Sequence, residues 1–315
     1  MMKYNLIEGL EKKISRVILG NDKVQKMDQA FKIWDKWIEA GGNTFDCAYI
    51  YGGGLQERLL GEYIKSRSLE KEIVIISKAA TNANDFKKVS TFIDESLNRL
   101  NIDSLDIFLL HRDFTDFPVK KIIDFLNLEK KRGKIKIFGA SNWTLARFAE
   151  ANHYAILNKL EPMRVLSNNF SLAKMEKALW PGCLSSNNPA YIEYMTKNNI
   201  HHFSWSSQSR GFFRKKYNYI DRLNFFFTKN EDLRLKYCFY SNNNIKLFDI
   251  VNLLAKKKNR SPNALALAWV LRQKFPSYAI IGPKNEMQLK NSLECLEFNL
   301  SESDVRLLNQ EKQGC

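Results

Sequence analysis

The chain has 315 residues, 44% of them hydrophobic, which is enough to bury a full core in one closed α/β barrel or in two smaller domains. Its 49 Lys and Arg outnumber its 34 Asp and Glu for a formal net charge of +15, but the cations are scattered (Lys12, Lys13, Lys130, Lys131, Lys256 to Lys258) and no zinc-ligand spacing or RNA-binding signature accompanies them. The charge therefore predicts a Lys-rich surface, with no nucleic-acid partner.

KISRVILG (13–20) reads as a strand, and MDQAFKIWDKWIEAGG (27–42) as a helix with Phe31, Trp34, Trp37 and Ile38 on one face and glycine at its end. Strand-like runs then recur at NTFDCA (43–48), EIVIISK (72–78), LDIFLLH (105–111), KIKIFGAS (134–141), RVLSNN (164–169), IHHFSW (200–205) and YAIIG (278–282). Helical periodicity separates them at about 55–67, 85–100, 118–132, 143–159, 187–198, 244–258, 261–273 and 285–296.

Eight strand candidates alternate with helices, and several are almost wholly apolar, as strands covered on both faces are. Repeated strand-helix units imply parallel strands, and eight of them imply a (β/α)8 barrel, taken here as one domain over residues 1–315. The rival is an open doubly wound sheet, but GNDKVQ follows the first run in place of a G-x-G-x-x-G turn. Two connections exceed what barrel closure needs. They are 168–187, and about 206–241 with the aromatic run Phe225 to Phe227. Both would lie at the carboxyl ends of the strands, where barrel sites are built.

Five cysteines (Cys47, Cys183, Cys238, Cys295, Cys315) form no C-x-x-C, which fits a reducing compartment. MMKYNLIEGLEKK lacks the apolar core of a signal peptide, and no apolar run would span a membrane. The expectation is a soluble cytoplasmic protein of unassigned oligomeric state.

The strand ends carry polar residues. Asp46 ends the second strand, Lys78 the third, His111 the fourth, and Ser141 with Asn142 the fifth; Tyr51 follows Asp46 in a glycine-rich turn. Singly, each has a plain structural reading: a turn former, a surface lysine, a core histidine. Jointly, on one rim, they suit carbonyl reduction, where oxygen gains negative charge as hydride reaches carbon. Tyr has an ordinary pKa of about 10, and a nearby Lys ammonium is expected to lower it. Asp46 would hold Lys78, Lys78 would tune Tyr51, and His111 would orient the carbonyl oxygen.

DCAYIYG (46–52), ISK (76–78), LLH (109–111) and GASNW (139–143) resemble the aldo-keto reductase family over nearly the whole chain. The resemblance implies a barrel, NADPH as cofactor, a small carbonyl or alcohol substrate, and no metal. It implies Asp46, Tyr51, Lys78 and His111 as the catalytic tetrad. It also implies cofactor contacts from Gly20, Asn21 and Asp46, from Ser141 and Asn142 at the carboxamide, and from Ser167 where a Gln is usual. Trp205 stands where a Tyr usually stacks on the nicotinamide. IIGPKNEMQL (280–289) matches the adenosine phosphate site through Gly282, Lys284 and Gln288, whereas Asn291-Ser292 departs from the usual Glu-Asn and FSWSSQSRGFF (203–213) lacks the usual Pro.

Two alternatives stand beside this. A metal-dependent barrel hydrolase would use His111, His201, His202 and Asp46, but His201 and His202 open the seventh strand, at the opposite end from His111. A cofactor-binding regulatory subunit would keep the fold without turnover. Trp180, Phe212 and Phe213 could line a substrate pocket or merely anchor loops, and the six residues beyond Asn309 are expected to be too few to close over a substrate as a long tail often does in the family it resembles.

Overall fold

The computed structural model describes residues 1–23, 25–79, 83–214 and 237–310. The aromatic run Phe225 to Phe227, and Cys315, lie outside the described residues.

Eight parallel strands close into a barrel: β3 (Val17–Gly20), β4 (Thr44–Asp46), β5 (Val74–Ala79), β6 (Leu105–Leu110), β7 (Ile135–Ser141), β8 (Val165–Ser167), β9 (His201–Ser204) and β10 (Ser277–Ile281), which pairs back onto β3. Around it run α1 (Met27–Glu39), α2 (Leu55–Arg67), α3 (Val89–Leu100), α4 (Val119–Lys131), α5 (Leu145–Leu157), α6 (Pro189–Lys197), α7 (Asn242–Lys258), α8 (Pro262–Leu271), α9 (Glu286–Leu293) and α10 (Glu302–Leu308). Helix starts are set locally. Thr144, Asn188, Ser241, Ser261 and Asn285 each accept a hydrogen bond from a first-turn amide, and Pro189 and Pro262 sit at first-turn positions where no amide hydrogen is needed.

Side chains alternate across each strand, and the two faces separate cleanly. Leu19, Phe45, Ile75, Phe108, Leu110, Phe138, Leu166 and Ile281 face outward into the helix layer with Trp34 and Trp37. Ile18, Val74, Ile76, Ile107, Leu109, Ile137, Val165, Phe203, Tyr278 and Ile280 fill the interior. The same period of two continues inward to Lys78, His111, Ser141, Ser167, Trp205 and Gly282 at the strands' carboxyl ends. The apolar core is thus the floor of the site.

KISRVILG is two strands, not one. Ile14–Ser15 (β2) pairs antiparallel with Tyr4–Asn5 (β1), and the connection between them inserts Ile7 and Leu10 into the barrel floor. The break falls at Arg16, whose guanidinium leaves the strand to donate to the carbonyls of Ser277 and Leu271. α10, unmarked by hydrophobic periodicity, is started by a reciprocal capping box between Ser301 and Asp304. Among the described residues no helix is long and apolar enough to cross a membrane.

Candidate active site

Asp46 closes β4 and Lys78 lies on the inward face of neighbouring β5. Lys78 Nζ sits 2.7 Å from Asp46 Oδ1 and donates to the Cys47 carbonyl at 2.7 Å. Both side chains are nearly out of water, at 4% and 5% exposure, so each charge depends on the other.

Tyr51 begins a 3₁₀ turn, Tyr51–Gly54, whose three glycines all have positive φ (56°, 62° and 88°). That run of left-handed backbone is why the turn is YGGG: a side chain there would be strained. A Cβ on Gly54 would also lie 2.7 Å from the Arg99 guanidinium. Arg99 anchors the turn by donating to the Tyr49 carbonyl and to the buried Glu57 carboxylate, both at 3.1 Å, and Glu57 also accepts from Ser77 at 2.7 Å. Tyr51 is thereby set with its ring centroid 5.1 Å from Lys78 Nζ and 6.0 Å from the His111 ring, edge to face.

Burial dominates the electrostatics. It raises the Tyr51 hydroxyl well above the ordinary tyrosine value, with the Asp46 charge adding to the rise. The net direction is opposite to the lowering expected from Lys78, because desolvation outweighs the neighbouring charges. Burial likewise raises Asp46, against the pull of Lys78. Burial first, then the charges of Lys78 and Arg112, holds the His111 imidazole well below its ordinary value, so it is neutral at physiological pH. Its buried Nδ1 has no partner among the described residues.

Across the barrel mouth, Ser141 Oγ donates to the Ser167 carbonyl at 2.7 Å and accepts from Asn142 Nδ2 at 3.0 Å. Asn142 Nδ2 also reaches the His111 carbonyl at 3.4 Å, and Asn142 Oδ1 accepts from the Leu184 amide at 3.2 Å. Trp205 Nε1 donates to the same Ser167 carbonyl at 3.1 Å, which fixes the indole plane at the rim. The hydroxyl of Ser167 is fully buried and donates to the Phe203 carbonyl, so this residue organises the rim through its main-chain oxygen.

Gly20 ends β3, where a Cβ would lie 3.1 Å from the Ile281 carbonyl oxygen. Asn21 is buried, bonds Cys47 Sγ at 3.4 Å through Nδ2, and keeps its Oδ1 without a partner among the described residues. Beyond β10, Gly282 and Lys284 are exposed. Gln288 folds back to accept from the Lys284 amide at 2.8 Å, and Gln29 donates to the Lys284 carbonyl at 2.7 Å.

His201 and His202 open β9 at the other end of the barrel. His201 Nδ1 bonds the Tyr278 hydroxyl at 2.8 Å and His202 Nδ1 the Ser204 hydroxyl at 2.9 Å. Among the described residues no group of three or more His, Cys, Asp or Glu is placed to hold a metal ion. Sequence reasoning missed the Arg99–Glu57–Ser77 network, because charged residues at 57 and 99 look like solvated helix positions until α2 and α3 are packed together.

The Aldo/keto reductase family model matches residues 18–312. The chain belongs to the aldo/keto reductase family. It is similar to norsolorinic acid reductase of Aspergillus flavus, 26% identical over 298 residues that cover 89% of this chain and 71% of that one. It is also similar to the aldo-keto reductase yakc [NADP(+)] of Schizosaccharomyces pombe, 25% identical over 287 residues and covering 86% and 79% of the two chains. Among solved structures, a thermostable aldo-keto reductase crystallised with the inhibitor epalrestat superposes with a TM-score of 0.75 over 98% of this chain and 99% of its own, at 20% identity, which speaks to the fold. This family member is, in the general sense, an oxidoreductase.

Proposed function

We propose that this family member is an NADPH-dependent reductase that interconverts a small carbonyl compound and its alcohol, with Tyr51 as the proton donor. The observation that carries the reading is the buried Asp46–Lys78 pair set beneath the Tyr51 ring, with a neutral His111 ring 6.0 Å away.

The residues present fit the cofactor. Trp205 offers an indole face held at the rim through its Nε1 bond to Ser167. Asn21 Oδ1 is a buried acceptor with no partner among the described residues, on the same rim. Gly282, whose added Cβ would touch Asp22 Oδ1 at 3.5 Å, and the exposed Lys284 lie beside the amino end of α9. Trp205, Ser141, Asn142, Asn21 and Gly20 would hold the nicotinamide half, and Gly282, Lys284 and Gln288 the adenosine half. The bound dinucleotide supplies the hydride for the carbonyl carbon.

The chain's own residues do the rest. His111 donates a hydrogen bond to the carbonyl oxygen and sets its direction. Tyr51 gives its phenolic proton to that oxygen as negative charge develops, so a new O–H bond forms while the phenol O–H breaks. The Lys78 ammonium beside the ring stabilises the resulting phenolate until it regains a proton from water, and Asp46 keeps that ammonium in place.

The test is NADPH oxidation in the presence of 4-nitrobenzaldehyde. Turnover dependent on both protein and aldehyde is expected. Tight NADPH binding with no turnover of any aldehyde or ketone would replace the reductase by a cofactor-binding regulatory protein on the same fold.

A further inference from the structure

Several charges around the barrel mouth are paired. Asp46 is matched by Lys78, Asp113 by Arg147 at 3.1 Å, and Asp22 by Lys23 at 2.9 Å. Arg112, the residue after His111, has no carboxylate partner among the described residues. Its Nη1 donates to the His111 carbonyl at 2.9 Å and its Nη2 to Cys183 Sγ at 3.4 Å. A guanidinium has five N–H donors, and a thiol is a weak acceptor, so most of its hydrogen-bonding capacity is unused.

The position is structured. Asn142 converges on the same His111 carbonyl, and the 168–187 loop closes over the arginine stem. Gly182, with φ of 73°, would place a Cβ 3.5 Å from Arg112 Cδ and Nε, and Leu184 donates to Asn142 Oδ1. The guanidinium is thus held half-buried between the tetrad and the loop. Its charge is felt at both reacting side chains, opposing the rise at Tyr51 and adding to the depression at His111.

We infer that Arg112 determines substrate choice by receiving an anionic group, so that the substrate class is a carbonyl compound that also carries a carboxylate or phosphate. This rests on the reductase reading above and deepens it. A planar guanidinium matches either oxyanion with paired N–H bonds, and the half-buried setting limits screening by water. Its one donor to the loop goes to a weak acceptor, Cys183 Sγ, and it pairs with no acid among the described residues.

Two measurements test this. In turnover, kcat/KM is compared for 3- and 4-carboxybenzaldehyde against the neutral 3- and 4-carbamoylbenzaldehyde. Wild type should prefer the acids, and Arg112→Gln should reduce that ratio by about 10- to 100-fold, as expected for losing a charged hydrogen-bond partner. Arg112→Lys should retain part of the preference. In calorimetry, wild type should bind benzoate more tightly than benzamide, and Arg112→Gln should abolish the difference. Reduction of acids and amides with equal kcat/KM by wild type, or an acid preference that survives in Arg112→Gln, overturns the inference and leaves the reductase reading intact. No turnover of any aldehyde, with a benzoate preference that depends on Arg112, overturns the reductase reading and retains the anion site.

Discussion

Lys78 and Asp46 meet at 2.7 Å across two neighbouring strand ends, almost without water. Each therefore keeps the other from being a lone buried charge. Lys78→Met should destabilise the fold by about 3–5 kcal/mol, because it leaves the Asp46 carboxylate uncompensated. The double variant Asp46→Asn with Lys78→Met should recover much of that loss, since an amide carries no charge to desolvate. Urea unfolding of the four proteins in the cycle measures the coupling. Additive losses would show that the two side chains do not depend on each other.

Under the proposed mechanism Tyr51→Phe removes the transferred proton and little else, since the ring should keep its place beside Lys78 and His111. Carbonyl reduction should fall by about 10²- to 10⁴-fold, the range for a general acid. NADPH affinity, followed by tryptophan quenching, should change little. Turnover close to wild type would remove Tyr51 from the reaction.

The pH dependence follows from the direction of two shifts. Tyr51 is held well above the ordinary tyrosine value, so the protonated form needed for reduction persists through neutral and mildly alkaline pH. His111 is held well below the ordinary histidine value, so it stays neutral over the same span. Reduction should accordingly be flat from pH about 6.5 to about 9, where unperturbed His or lowered Tyr groups would titrate. Alcohol oxidation needs the phenolate as base and should climb across the whole interval, approaching tenfold per pH unit. An acid limb in kcat/KM for reduction near pH 7 would assign a titrating His111. A fall above it would mean that Tyr51 loses its proton there.

Much of this site was legible because strands alternate. Val74-Ile76-Lys78, Ile107-Leu109-His111 and Ile137-Gly139-Ser141 each run two apolar or small inward positions into one polar residue at the rim. A period of two in the sequence was enough to align them. What alternation cannot express is depth and partnership. The direction of the Tyr51 shift depended on how far desolvation outweighs the neighbouring charges. The split of KISRVILG depended on carbonyls of Leu271 and Ser277, more than 250 residues away along the chain, that capture Arg16. Ser167 was readable as a strand-end residue, but the commitment of its hydroxyl to Phe203 is a matter of one rotamer.

Gly139 gives a stability test within the motif that was read for function. A Cβ there would sit 2.1 Å from the main-chain oxygen of Val165 on β8, which cannot swing aside as a side chain would. Gly139→Ala should lose about 1–3 kcal/mol or more by overpacking. Gly133→Ala is the comparison: its Cβ meets nothing within 4 Å, and its cost comes only from a φ of 77°. Thermal melts of both should place Gly139→Ala clearly lower. Equal melting temperatures would mean that β7 and β8 can separate without penalty.

Under the proposed function, cofactor choice is expected to turn on Lys284. It is exposed just ahead of α9, whose amino end carries partial positive charge and is capped by Asn285. A 2′-phosphate there would gain a full cation and the helix end together, whereas the ribose hydroxyl of NADH would gain neither. Gln288 folds back onto the Lys284 amide, so this main-chain donor already has a partner, and the proposal assigns the selective contact to the Lys284 side chain. NADPH should therefore bind more tightly than NADH. Lys284→Glu should weaken NADPH by about 10-fold or more, through loss of a charged bond and gain of repulsion, with little change toward NADH. Quenching of tryptophan emission on titration with each cofactor reads this directly, because Trp205 is expected to lie against the nicotinamide. Equal affinities in wild type, or equal losses for both cofactors in the variant, would take Lys284 out of the phosphate site.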